Sequence, residues 1–368
     1  MKTDVLIIGG GPAGLNAAIE TASRGIKTII IEESYALGGQ LKQQTQFFNN
    51  LPKQFDRQRG IHLMRTLIDR LSPLPITCLL KHKMIGVYKD GRIGIANDTE
   101  TFPIDAKKVI VTTGAAEETD LFPGWTLPGV MTVGAAQILI NRERVLPGKN
   151  ALIVGLNSFS AEVAKQLKAC GINILGVMDK TVSVNDKKLV EGLEDKKIRV
   201  MVNTVIERAT GAGEVKKVTI NNDGKKEDLD IDLICIGKGL APILEPLEIL
   251  DCEFGFQAKL GGLVPKYYST LGTSNPSVYV AGNAAGITCL GGILLTAEIA
   301  ALNALKALGV LNDNEVKVRS SFLWDELRSM ESEESIETFI ARVAHIKEFH
   351  EECELPLPAS FHAILEGC

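Results

Sequence analysis

Three glycines and one acid near the N-terminus have the residue types and the spacing needed to hold a dinucleotide. An apolar run, DVLIIGGGPAG, ends in a glycine-rich turn, and a later apolar run, IKTIIIE, ends in Glu32. In such a turn Gly9 permits the tight bend, Gly11 lets the backbone approach a pyrophosphate, and Gly14 lets the following helix pack closely on the strand. The helix N-terminus attracts the negative pyrophosphate, and the Glu32 carboxylate accepts a hydrogen bond from a ribose hydroxyl. The pattern predicts a dinucleotide-binding β-α-β unit rather than a glycine turn of some other α/β protein.

An imperfect copy of this pattern begins at Gly155. The segment NALIVGLNSFSAE precedes a helix, and GINILGVMD then ends in Asp179. Ser160 replaces the third glycine and is small enough to keep helix and strand close, whereas Asn157 adds a side chain at the tightest point. Two alternatives stay open: ordinary nucleotide binding, in which Asp179 would favour NADH over NADPH, or a retained fold with weakened or altered binding.

Further apolar runs that end in small residues must position these two units. They occupy Lys107–Gly114, Asp232–Pro242 and Ser277–Gly286. Connectors rich in proline and glycine, at 122–129 and 240–246, bracket the middle of the chain, and we expect inter-domain crossings there.

The long apolar stretch 284–310 is nearly long enough to span a membrane. Glu298 and Lys306 interrupt it, and Gly291 and Gly292 would interrupt a helix. We therefore expect a buried core helix and no membrane span.

The composition is that of a globular enzyme. The net charge of −5, without a basic block, argues against nucleic acid as a partner. The seven cysteines are scattered without a CxxC motif, and no secretory signal is present, so we expect a reducing, cytoplasmic location and no disulfide framework.

In order and spacing, these motifs resemble the flavoprotein oxidoreductases with two dinucleotide folds, to which thioredoxin reductase belongs. The resemblance runs from residue 1 to about 310. It rests on several motifs in sequence, which are the FAD turn Gly9–Gly14 with Glu32, a flavin-side glycine pair Gly38–Gln40, a "TG" strand end at Thr113 and Gly114, a "GD"-like motif at Gly282 and Asn283, and a second glycine turn at Gly155–Glu162.

This resemblance implies an α/β fold in which an FAD-binding Rossmann-like domain, 1–118 and 244–310, contains an inserted NAD(P)-type Rossmann-like domain, 119–243. A helical C-terminal tail, 311–368, follows. FAD is the implied cofactor, and NAD(P)H or another nucleotide is a candidate ligand of the inserted domain.

The candidate cofactor-binding residues follow from these motifs. Asn283 stands where relatives have an aspartate; the asparagine can form the same hydrogen bond but carries no charge. The helix that follows Asn283 could direct its N-terminus at the flavin. No catalytic acid or base is assigned, because no histidine or cysteine falls on a motif position. The candidates are Gly9, Gly11, Pro12, Ala13, Gly14, Glu32, Glu33, Gly39, Gln40, Thr113, Gly114, Gly282 and Asn283 for FAD, and Gly155, Asn157 and Glu162 for the second nucleotide.

Departures from the family pattern reduce the number of activities expected for this chain. Segments 33–60 and 130–145 contain no cysteine, so a dithiol relay is not expected. The segment 113–137 is similar to the linker in FAD subunits of opine oxidase, cyanide synthase and dye-linked proline dehydrogenase, which also tend to have an eroded second glycine motif. This similarity implies an FAD-dependent dehydrogenase of an amine or imino acid, or its electron-transfer subunit, working with a partner subunit. The alternatives are a stand-alone NAD(P)H-dependent flavin reductase without a dithiol centre, and a non-enzymatic nucleotide-binding scaffold.

The C-terminal region, 312–368, lies outside the resemblance. Apolar residues at helical spacing predict a helix folded on the body, and the alternative is a docking surface for a partner subunit. His345, His350 and Cys353 are expected to be solvated helix residues rather than metal ligands, and the isolated Cys353 and Cys368 do not predict an iron–sulfur cluster. The apolar positions are Phe322, Leu327, Ile336, Phe339, Val343 and Ile346.

Overall fold

The computed structural model describes residues 1–181, 187–354 and Phe361, without the side chains of 333–335. The chain forms two compact units. The first contains Met1–Lys42, Phe47–Ala116 and Ala241–Cys368, and the second contains Gln43–Gln46 and Glu117–Leu240. These units are defined by packing, and the domain limits expected from the sequence stay predictions.

The first unit is built on a mixed seven-stranded sheet. Its main path has the strand order β5-β2-β1-β8-β7-β6, and β21 pairs with the later residues of β8 on the edge opposite β1. The apolar runs that end at the first glycine turn and at Glu32 form β1, Lys2–Ile8, and β2, Thr28–Glu32, which pair in parallel. Every residue of β2 is buried, as expected for a parallel strand covered on both faces.

The strand that leads to Thr113 is longer than the short strand expected from the sequence. It is β8, Thr101–Val111. Its first residues pair antiparallel with β7, and its later residues pair in parallel with β1 and β21. The residues that precede Lys107, TFPIDA, mix polar and apolar side chains, and only Ile104 among them is buried, so the pattern of apolar runs did not predict this extension.

The second unit repeats the parallel α/β plan. Its five strands follow the order β10-β17-β11-β12-β13, and a three-stranded antiparallel sheet, β14-β15-β16, packs against them through a shared apolar core. Ser158–Ala169 forms the helix that follows the second glycine turn.

The apolar stretch at 284–310 forms helix α7, Leu290–Ala307, in the core of the first unit. Among the described residues it is the one helix long and apolar enough to cross a membrane, and 78% of it is buried in the protein. It packs beside α1, Pro12–Ala22, and the side-chain Nδ2 atom of Asn16 donates to the Leu294 carbonyl at 2.8 Å.

The described part of the C-terminal region contains the long helix α8, Asp313–Glu352, which packs on α7. Leu327, Phe339, Val343 and Ile346 are buried as the spacing predicted. Phe322 and Ile336, which share this spacing, are 53% and 42% exposed, so the spacing alone did not identify the buried face.

The expectation of solvated histidines on α8 was also wrong. His345 and His350 are buried, because α8 lies against the chain that precedes α7. The His345 Nε2 atom bonds the Pro265 carbonyl at 2.8 Å, and the His350 Nε2 atom accepts from the Ser269 amide at 3.2 Å. Within the described residues no three histidine, cysteine or acidic side chains gather as metal ligands, and Cys368 lies outside the described residues.

The remaining bounds complete the description. The helices are α2 Gly60–Leu71, α3 Val133–Ile138, α4 Ser158–Ala169, α5 Lys187–Glu194 and α6 Glu245–Ile249. The strands are β3 Phe47–Phe48, β4 Gln58–Arg59, β5 Ile76–Leu80, β6 Lys83–Val87, β7 Ile93–Ala96, β9 Ala115–Glu117, β10 Val130–Thr132, β11 Asn150–Val154, β12 Asn173–Met178, β13 Val200–Met201, β14 Thr204–Thr210, β15 Lys217–Asn222, β16 Lys225–Asp230, β17 Leu233–Ile236, β18 Leu240–Pro242, β19 Phe254–Gln257, β20 Gly262–Pro265 and β21 Val278–Val280.

Candidate functional site

Two glycines of the first turn are required by the protein's own packing. Gly9 has a φ of +109°, and a Cβ there would lie 2.5 Å from the Thr112 carbonyl oxygen. A Cβ on Gly14 would overlap the Gly9 carbonyl oxygen. These two positions let β1, α1 and the end of β8 approach closely.

Gly11 differs, because nothing in the described protein requires a glycine there. Its φ of −75° and ψ of −173° suit any residue, and a Cβ would meet only the Gly39 Cα atom, at 3.9 Å. Gly11 is also the N-cap of α1 and offers no side chain to the first helical N–H groups. The turn therefore keeps an open space beside uncapped amide donors, which is what a pyrophosphate needs.

The Glu32 carboxylate lies at the other side of this turn and is 8% exposed. Oε2 accepts from the Gly10 amide at 2.7 Å, and Oε1 accepts from the Ser34 amide at 2.9 Å. Two backbone donors hold the carboxylate in place, and each oxygen keeps a lone pair that can accept from a ribose hydroxyl.

Two later motif glycines lie against the first turn. A Cβ on Gly39, whose φ is +51°, would be 2.9 Å from the Gly11 Cα atom. A Cβ on Gly282, whose φ is +67°, would be 2.9 Å from the Ala13 Cβ atom. Segments that are distant in the sequence thus converge on one turn.

Asn283 follows this contact and is half-buried. Its Oδ1 atom accepts from the Thr288 amide at 3.1 Å, which fixes the side-chain amide on the loop before α7. The Cys289 Sγ atom accepts from the Gly292 amide at 3.3 Å and caps α7.

The other predicted residues are exposed or have partners outside the first turn. Glu33 and Gln40 are exposed. The Thr113 hydroxyl donates to the Ile243 carbonyl at 2.7 Å, and Gly114, with a φ of +80°, has no neighbour near its Cβ position.

The residue that sequence reasoning missed is Thr112. It is buried, and its hydroxyl donates to the carbonyls of Ile8, at 3.0 Å, and Gly9, at 2.9 Å. Side chains alternate along a strand, so the residue next to Thr113 was the one able to face the turn. Lys42, which follows the Gly38–Gln40 motif, donates through Nζ to the Ser34 hydroxyl at 3.0 Å.

The second turn keeps the plan of the first but carries a side chain, Asn157, where the first turn has Gly11. Gly155 has a φ of +105°, and a Cβ there would overlap the Gly237 carbonyl oxygen. The Asn157 side chain caps α4, because Oδ1 accepts from the Ser160 amide at 2.9 Å and Nδ2 donates to the Gly237 carbonyl at 2.6 Å. One amide that could face a phosphate is therefore already bonded within the protein.

Other features of the second turn follow the first. The Asp179 Oδ2 atom accepts from the Leu156 amide at 2.8 Å, as Glu32 accepts from Gly10. Glu162 is half-buried, and its Oε1 atom accepts from the Gln166 side-chain amide at 2.9 Å.

Comparisons with known proteins agree with this architecture. The family described as "Pyridine nucleotide-disulphide oxidoreductase" matches residues 3–304. An opine oxidase subunit from Rhizobium meliloti is 25% identical over 360 residues, which cover 88% of this chain and 66% of that protein. Hydrogen cyanide synthase subunit HcnB of Pseudomonas protegens is 26% identical over 356 residues, which cover 85% of this chain and 72% of that protein.

A solved structure shows the same fold. The L-proline dehydrogenase from P. horikoshii superposes with a TM-score of 0.70 at 22% identity, covering 89% of this chain and 59% of that one. The chain thus spans slightly less than two thirds of the opine oxidase relative and of this dehydrogenase. The family and the fold class predicted from the sequence are confirmed.

Proposed function

This chain belongs to the pyridine nucleotide-disulphide oxidoreductase family, and we propose that it is an FAD-dependent oxidoreductase that oxidises an amine, imino acid or amino acid. It does so as a dehydrogenase or as the FAD subunit of one. FAD accepts a hydride and passes electrons to an acceptor. The protein's contribution is to bind the cofactor, orient it and set the charge around it.

The open space at Gly11 is the observation that carries the FAD assignment. Packing explains Gly9 and Gly14, whereas Gly11 has ordinary dihedral angles and an almost empty Cβ position. We infer that a pyrophosphate lies there, with the N-terminus of α1 offering amides and Glu32 accepting from a ribose. Gly39, Gly282 and the other predicted FAD residues form the rest of this proposed site.

The substrate class rests on the relatives. The names of the opine oxidase relative and of the proline dehydrogenase refer to an opine and to proline, which are amino-acid compounds that contain an amine nitrogen. Several relatives are named as subunits, which supports a partner subunit for this chain. The sequence has no CxxC motif that could supply a thiol pair for disulfide chemistry.

Reconstitution with FAD under anaerobic conditions tests the proposal. The apoprotein is expected to take up one FAD per chain, and a secondary amine or amino acid from a panel that includes proline is expected to bleach its visible absorbance. A chain that takes up no FAD would contradict the proposal. The Gly11→Ala variant is the matched negative control, because its added methyl group fills the proposed pyrophosphate space.

One observation favours a second candidate, an NAD(P)H-dependent flavin reductase. Asp179 holds the Leu156 amide as Glu32 holds that of Gly10, so the ribose-binding end of the second turn keeps its geometry. Prompt bleaching of the flavin by one equivalent of NADH would favour this candidate over the dehydrogenase.

A further inference from the structure

A fully buried ion pair lies on the C-terminal helix. Arg342 and Glu331 are on α8, eleven positions apart and so on the same helix face, and the Arg342 Nη2 atom lies 2.8 Å from the Glu331 Oε1 atom. The two side chains are 0% and 1% exposed. Burial acts to lower the pKa of Arg342, but Glu331 and Tyr267 reverse this and raise it above its ordinary value, so the guanidinium stays charged.

The guanidinium holds the chain that leads into α7. The Arg342 Nη1 atom donates to the Ala285 carbonyl at 2.8 Å and to the Tyr267 hydroxyl at 2.9 Å. The Tyr267 hydroxyl donates to the same Ala285 carbonyl at 2.8 Å. The Arg342 Nη2 atom also reaches the Gly286 carbonyl, at 3.4 Å.

The carboxylate of the pair reaches one of the predicted FAD residues through a single intermediate. The Thr288 hydroxyl donates to the Glu331 Oε1 atom at 2.6 Å, and the Thr288 amide donates to the Asn283 Oδ1 atom at 3.1 Å. The bond to Oδ1 fixes the orientation of the Asn283 side chain, and its NH₂ group can then donate to a ligand.

Two glycines at the start of α7 leave room for α8 and for the loop before α7. A Cβ on Gly291 would overlap the Met330 sulfur, and a Cβ on Gly292 would overlap the Thr288 hydroxyl. Asn50 also holds α8 in place, because its side-chain amide donates to the Met330 carbonyl at 2.8 Å.

Stability alone is a poor explanation for such a pair. Removing two charges from water costs much of what their attraction returns, and well-packed apolar residues often serve the fold equally well. The pair does, however, hold the loop 285–288 in one orientation, because Arg342 donates to its carbonyls and Glu331 accepts from the Thr288 hydroxyl.

We propose that Glu331 and Arg342 are positioning residues for the FAD site: Arg342 fixes Glu331, and Glu331 holds Thr288, which orients the Asn283 amide and the first turn of α7 toward the cofactor. The inference rests on the proposed function, because it assumes that FAD lies against Asn283. It makes the C-terminal helix a part of the flavin site, although this helix lies beyond the residues matched by the family.

The substitution that disturbs the fold least is at Thr288. Thr288→Val removes the hydroxyl that bonds Glu331 and keeps the shape, whereas Thr288→Ser keeps the hydroxyl. We expect Thr288→Val to raise the Kd of the apoprotein for FAD about tenfold and to shift the flavin midpoint potential, while Thr288→Ser behaves as the wild type does. A folded Thr288→Val protein with the wild-type Kd and potential would overturn the inference.

A paired variant and a control on the same helix complete the test. Glu331→Met with Arg342→Met removes both charges and is expected to weaken FAD binding as Thr288→Val does; if it does not fold, Thr288→Val decides alone. Arg319→Met breaks the ion pairs to Glu20, at 2.7 Å, and Glu298, at 2.8 Å, and should leave the Kd and potential unchanged. A wild-type chain that binds no FAD contradicts the proposed function as well, whereas wild-type binding matched by all variants contradicts this inference alone.

Discussion

At the scale of single residues, the two glycine turns differ mainly at their second position. Gly11 leaves its Cβ position open, whereas Asn157 at the corresponding position bonds the Ser160 amide and the Gly237 carbonyl with its side chain. The sequence predicted both turns and identified Asn157 as the departure. The cap itself is local, because Oδ1 accepts from the Ser160 amide three residues along the chain. The bond from Nδ2 to the Gly237 carbonyl, 80 positions away, could not be predicted from the sequence.

Two alanine substitutions in the first turn should separate binding from stability. Gly11→Ala is expected to keep or slightly raise the free energy of unfolding, because the backbone is ordinary and the site is open, and to weaken FAD binding by about tenfold or more. Gly14→Ala should destabilise the protein by about 1–3 kcal/mol, because its methyl group overlaps the Gly9 carbonyl. Chemical unfolding of both apoproteins and FAD titration measure the two effects. Equal FAD affinity in Gly11→Ala and the wild type would contradict the assignment.

Substitutions at Asn157 test the role of the second turn. Asn157→Ala removes the cap of α4 and is expected to cost about 1 kcal/mol, whereas Asn157→Gly costs only a few tenths. Asn157→Gly also frees the Ser160 amide and the space beside it. NADH should therefore bind the glycine variant more tightly than the wild type in an equilibrium titration. Unchanged NADH affinity would show that the capped asparagine is not what limits binding.

At the scale of elements, α8 departs most from what the sequence alone predicted. Its helical nature and four of its buried apolar residues followed from the spacing. The burial of His345 and His350 did not follow, because it depends on the carbonyl of Pro265 and the amide of Ser269, which no helical periodicity describes. The connection from Glu331 to Asn283 is equally a property of the folded chain.

The burial of His345 gives α8 a pH-dependent contribution to stability. Burial lowers the pKa of His345 below its ordinary value of 6.5, against a smaller opposing effect of the Pro265 carbonyl. The unfolded chain then binds the proton more readily, so this contribution is complete above pH 6.5 and is lost as pH falls from there toward the lower folded pKa. We expect the free energy of unfolding to fall over this range in the wild type and to change less in His345→Gln. Parallel pH profiles for the two proteins would contradict this.

At the scale of the whole molecule, the two units share the strand–turn–helix plan but differ in the glycine turn that would bind a nucleotide. The first unit contains an open turn, the Glu32 carboxylate and a late glycine motif backed by the C-terminal helix. The second contains a turn of the same plan whose asparagine is bonded inward. Electrons are therefore proposed to enter the flavin from an amine or amino acid rather than from a nicotinamide on the second unit.

Anaerobic titration of the FAD-loaded protein with NADH tests this claim most directly. The visible absorbance of the flavin should persist through the addition of one equivalent of NADH and bleach with an amine or amino acid substrate. Prompt and stoichiometric bleaching by NADH would contradict the proposal and would instead assign the second turn to nicotinamide binding.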